Sequence, residues 1–197
     1  MSFFVLLKKE AMELGRNKVY LSFLAFCLVL VAILLVRQVK LPETVYYMFI
    51  PILVSQYVFD SCYNDIRHGG ALFCINLKCS TLQIMLSKAV YAIIIGAVLF
   101  LGFVLVFGFK VKNLIWFIPF LVGLTFFTYT VTLLSKKSDL ITSAISGFVS
   151  LGILQLIFNT NNQFCQVGFA LLFVVAAFLL AHIFSKTIFF RSEIVGS

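Results

Sequence analysis

The groups that could do acid–base, nucleophilic or metal chemistry in this chain are few and scattered. His68 and His182 are the only imidazoles, and the five thiols are Cys27, Cys62, Cys74, Cys79 and Cys165. No C-x-x-C occurs, so neither a zinc site nor a disulfide framework is expected. No P-loop G-x-x-x-x-G-K-[ST], H-E-x-x-H or G-x-S-x-G is present. Without a P-loop the chain has no such route to ATP hydrolysis of its own. His182 falls near the end of an apolar stretch, where an imidazole can keep its polar edge at the interface. No catalytic residue, resident cofactor or metal is expected.

The elements around these groups belong to a bilayer. Of 197 residues 62% are hydrophobic and 11% charged, against about 45–50% and about 25% in soluble domains. Mean hydropathy is +1.13. These values exclude a soluble enzyme, a disordered chain and a nucleic-acid-binding domain despite a net charge of +8. Continuous rather than alternating apolar runs argue against a β-barrel. The expected fold is all-α and integral to the membrane, with residues 1–197 forming a single domain.

Apolar runs lie at Val19–Val36, Val45–Phe59, Ala89–Phe109, Leu114–Leu134, Leu140–Phe158 and Phe164–Phe184. The second is short, and its helix is expected to extend from Glu43 towards Tyr63 through Pro51. With the N-terminus inside, six transmembrane helices place 11 of the 15 Lys and Arg residues on the inner side and four on the outer. The positive-inside rule then puts both termini in the cytoplasm. No cleavable signal peptide is expected.

Two segments are more than spans. Over 2–18, Phe3, Phe4, Leu7, Ala11 and Leu14 share one helical face, with Lys8, Lys9, Glu13 and Arg16 expected opposite. That pattern predicts an N-terminal interfacial amphipathic helix on the inner leaflet. Segment 60–88 is the longest loop. Asn64 to Gly70 reads as a helix end and turn, and Ser80-Thr81-Leu82-Gln83 fits a capping box. An ordered loop of this length suits a docking surface. Inside the spans the polar groups are mild: Gln56, Thr125, Thr128 and Gln155, with several serines, could pack helices or line a translocation path.

This organisation resembles the type-2 ABC transporter permeases, the membrane subunits of bacterial exporters. Their first cytosolic loop carries a coupling helix that docks on a separate ATPase. In that likeness Asp65 stands for an acidic position, Gly69 or Gly70 for a glycine, Leu72 and Ile75 for apolar positions, and Ser80 for a serine. Leu82, Ile84, Leu86 and Lys88 match the helix that follows, while Lys78 stands about where the family has proline. The resemblance implies an ATPase-coupling loop and two cytosolic ABC ATPase subunits, with ATP and Mg bound there and no cofactor on this chain. It also implies a second permease copy or a related permease, a bacterial inner-membrane location, and export of an amphiphilic substrate such as a peptide, lipid or drug-like molecule. The alternative from another class is a non-transporting membrane immunity or assembly protein acting through partner binding.

Overall fold

The computed structural model describes residues 2–36, 43–67, 80–107, 110–135, 140–160 and 162–195. Among them the regular elements are all helical. They are α1 (Ser2–Arg16), α2 (Lys18–Val36), α3 (Glu43–Arg67), α4 (Thr81–Phe107), α5 (Leu114–Ser135), α6 (Leu140–Phe158) and α7 (Gln163–Val195). A 3₁₀ turn at Val111–Asn113 leads into α5. Each apolar run of the sequence has become a helix. The second has grown at both ends as expected, carrying Pro51 in its interior.

Among the described residues three stretches are long and apolar enough to cross a membrane: Leu82–Phe107, Val111–Leu134 and Gln163–Phe184, of 26, 24 and 22 residues. At 1.5 Å per residue each exceeds the roughly 30 Å of hydrocarbon in a bilayer. The described residues thus fit an all-α membrane protein. Val98, Leu105, Phe148 and Leu172 stand on the surface of α4, α6 and α7. Apolar exposure on that scale suits contact with lipid and would be a liability in water.

Helix α5 is the centre of the bundle. It packs along α7 most extensively, and also against α3, α4 and α6. Its sequence sets it apart by polar content, since Thr125, Thr128, Thr130 and Thr132 are all buried on it, while α4, α6 and α7 expose apolar side chains that suit lipid. Trp116, Phe117, Phe120, Leu121, Leu124, Phe126 and Leu133 are all buried. At the Trp116 end, Tyr47, Phe100, Trp116, Phe117 and Phe158 form an aromatic cluster, with the Tyr47 and Phe158 rings 4.8 Å apart. Asn113 Nδ2 donates to Tyr47 Oη at 2.8 Å, tying the start of α3 to the turn before α5.

The hydroxyl groups of α5 mostly serve their own backbone. Thr125, Thr130 and Thr132 donate to the carbonyls of Leu121, Phe126 and Thr128, each at 2.8 Å. Thr128 instead meets Ser146 of α6 at 3.0 Å, the polar cross-link expected between packed membrane helices.

Candidate functional site

The polar centre of the molecule lies where α1, the end of α3 and the beginning of α4 meet, at the other end of α3 from the aromatic cluster. Asn17 makes the joint that brings α1 there. Its N–H donates to Glu13 O at 2.9 Å, closing α1, while its Oδ1 accepts from Tyr20 N at 2.9 Å, capping α2. This is ordinary N-cap chemistry. Its Nδ2 also donates to Asp60 Oδ2 at 3.2 Å, and Gln56 Nε2 donates to Asp60 Oδ1 at 2.9 Å. The axes of α1 and α2 diverge by 64° across this joint, and α1 packs against α3 and α4.

Lys88 is the centre of the cluster and is completely buried. An ammonium group has three N–H donors and no acceptor. All three find partners: Glu10 Oε1 at 2.8 Å, Asp65 Oδ2 at 2.8 Å and Ser61 Oγ at 2.5 Å. Glu10 is equally enclosed, at 1% exposure. Its second oxygen accepts from Ser61 Oγ at 2.7 Å and Tyr57 Oη at 3.0 Å. Lys9 pairs with Asp65 and Glu13, the latter at 3.0 Å, and lies 3.6 Å from Glu10. Two ammonium groups thus face three carboxylates, a balance of 2 − 3 = −1.

Electrostatics follows from this packing. Burial alone would raise the Glu10 carboxyl, but Lys88, Lys9 and the bonds from Lys88 and Ser61 outweigh it and hold Glu10 at about 2. Lys9 is opposed by burial and by Lys88, yet Asp65 and Glu10 carry it above the usual lysine value. Glu13 is raised above its ordinary value by burial and by the nearby Asp65.

The structure brings some of the sequence-predicted residues together and separates others. Asp65 is buried, with its carboxylate turned into the cluster. Ser80 caps α4 as the sequence predicts: Gln83 N donates to Ser80 Oγ at 3.2 Å, and Ser80 N donates to Gln83 Oε1 at 3.0 Å. Gly69, Gly70, Leu72 and Ile75 lie outside the described residues. Gln56 is tied to Asp60, Thr125 and Thr128 are buried in the bundle, and Gln155 is exposed on α6.

The expected polarity of α1 needs correction. Lys8 and Arg16 face outward, but Phe4 and Ala11 of the expected apolar face are exposed beside them, and Lys9 and Glu13 turn towards the bundle beside Leu6 and Glu10. The reason is that α3 and α4 supply counter-charges, which makes burial of these ions tolerable. Glu10 and the pairing role of Lys88 were missed by the sequence reading. Their signal is positional. Glu10 sits four residues from both Leu6 and Leu14, and Lys88 four from both Ile84 and Ala92. A charge on an apolar stripe needs a buried partner.

Comparison with known protein families, curated proteins and solved structures returns no match.

Proposed function

We propose that this chain is the membrane-spanning permease subunit of an ATP-driven ABC exporter. It couples ATP hydrolysis on separate ATPase subunits to movement of an amphiphilic substrate. On this reading six helices cross a bacterial inner membrane, α2 to α7, with α1 on the inner leaflet and both termini cytoplasmic. Two permeases sit over two ATPases, and the substrate path runs between them past the exposed Gln155 rather than past Thr125 and Thr128, which are buried within the bundle.

One observation carries the reading. Asp65, in the last turn of α3, and Lys88, about two turns into α4, are ion-paired at 2.8 Å, and both are fastened to α1 through Lys9 and Glu10. The pair ties the end of α3 to the start of α4. A push on Gly69, Gly70, Leu72 or Ile75 from a docked ATPase reaches α3 and α4 together. Asp65 and Ser80 position the ends of the loop, and the residues between them make the contact.

Co-expression with candidate P-loop ATPases, purification through a tag on this chain and measurement of ATP hydrolysis test the reading. Co-purification and stimulated hydrolysis are expected. Leu72→Ala and Ile75→Ala should each weaken ATPase binding about tenfold, the equivalent of roughly 1.4 kcal/mol of docking energy. Stimulated hydrolysis and complex formation indifferent to changes at Gly70, Leu72 and Ile75 would end it.

A further inference from the structure

The outward face of α1 carries an ordered pattern. Phe4, Lys8, Met12 and Arg16 follow at four-residue intervals, which places them in one stripe on the helix. All four are exposed, Phe4 to 77% and Met12 to 49%. Val5, Ala11 and Gly15 widen the stripe, and Lys18 is exposed just past the bend. Neither carboxylate of α1 lies in it. Glu10 is enclosed in the cluster, and Glu13 faces inward against Lys9 at 3.0 Å. Among the described residues Lys8, Arg16 and Lys18 have no carboxylate within ion-pairing distance. The helix has thus drawn its negative charges inside and left a surface of alternating apolar and cationic side chains.

We infer that this stripe is a binding surface for the anionic lipid headgroups of the leaflet on which α1 lies. The inference rests on the placement of α1 proposed above. Charge complementarity identifies the occupant. The cations need a negative partner, while Phe4 and Met12 between them need an apolar one, and a leaflet offers phosphate and acyl chain within one thickness. Lysine and arginine stems run along the apolar layer while their charged ends reach the phosphates. The 64° divergence from α2 supplies the geometry. With α2 near the bilayer normal, α1 lies closer to the membrane plane than to the normal.

The test uses the full chain in nanodiscs of equal phosphatidylglycerol and phosphatidylcholine, with no ATPase present. Native mass spectrometry of the released protein counts retained lipids, and a spin label on a Met12→Cys variant, with the five native cysteines replaced by Ser or Ala, reports depth. Expected are enrichment of phosphatidylglycerol over phosphatidylcholine and a label at the headgroup–acyl boundary. Neutralising Lys8, Arg16 and Lys18 together by Gln should remove the enrichment, with about a two- to fivefold loss for each charge at low salt. All three are exposed and outside the ionic cluster, so the thermal midpoint should be unchanged. Equal retention of both lipids overturns the inference. So does a label in open water, which would leave the face free for an acidic protein. Because no ATPase enters the assay, failure here leaves the coupling proposal standing, and failure of coupling leaves the lipid result intact.

Discussion

The ammonium of Lys88, about two turns into α4, lies 2.8 Å from the carboxylate of Asp65 in the last turn of α3. The same ammonium lies 2.8 Å from Glu10, a residue 78 positions earlier in the chain. One buried cation therefore joins the N-terminal helix, the end of α3 and the start of α4. Taking such ions out of water is expensive, and only close pairing with every donor used offsets the cost. With Ser61 as the third acceptor, Lys88 meets that condition.

Removing this cation should be severe. Lys88→Met leaves Glu10 and Asp65 buried opposite an apolar side chain and is expected to cost about 3–5 kcal/mol. Combining it with Glu10→Gln and Asp65→Asn should recover much of the loss, since no uncompensated charge then remains inside. Thermal unfolding of the detergent-solubilised chain reads both. A single variant as stable as the parent would show that the cluster is not closed in the folded protein.

Acid should open the cluster through Glu10. Its folded-state value of about 2 lies below the ordinary value of 4.5. Its contribution to stability is therefore present in full above about pH 4.5 and is lost as pH falls towards 2. Glu13, shifted the other way by burial and Asp65, contributes with opposite sign: its share is present at low pH and fades as pH rises through its raised value. The difference between the parent and Glu10→Gln isolates the Glu10 share. That difference should shrink steadily between pH 4.5 and 2, as followed by unfolding midpoints. A constant difference would contradict it.

Much of the fold was legible because it is local. Apolar run length forecasts α2 to α7, and the extension of α3 from Glu43 towards Tyr63 follows because an apolar run of about 22 Å falls short of a bilayer's roughly 30 Å. The Ser80–Gln83 capping box is local as well, and both of its bonds form. The ionic cluster is not. Glu10, Ser61 and Lys88 come from three separate helices, and no periodicity links them. Polarity alone turns Lys9 and Glu13 of α1 outward. Pairing across helices decided the matter instead, with Asp65 drawing Lys9 in and Lys9 drawing Glu13.

The joint between α1 and α2 should depend on Asn17. Asn17→Ala removes the cap on Tyr20 N and the bond to Asp60, for an expected cost of about 1–2 kcal/mol. Asn17→Ser keeps a capping oxygen and should recover about half. Hydrogen exchange of the Tyr20 amide is the direct measurement. Protection equal to that of the parent in Asn17→Ala would mean that the cap carries no weight.

Close approach of α5 and α7 requires a missing side chain at one place. A β-carbon added at Gly123 would fall 2.6 Å from Cδ1 of Phe173, too near for two carbons. The Phe173 ring cannot simply swing away. It is buried, with Phe120 at 5.8 Å and Phe127 at 6.3 Å between ring centres. Gly123→Ala is therefore expected to cost about 1–3 kcal/mol through overpacking. Gly102 on α4 is the contrast, since a β-carbon there meets nothing within 4 Å. Gly102→Ala should be neutral or stabilising by up to about 1 kcal/mol, because alanine favours the helix. Unfolding of the two variants side by side separates packing from helix propensity. Equal behaviour would mean that α5 and α7 do not meet at Gly123 as closely as the structure places them.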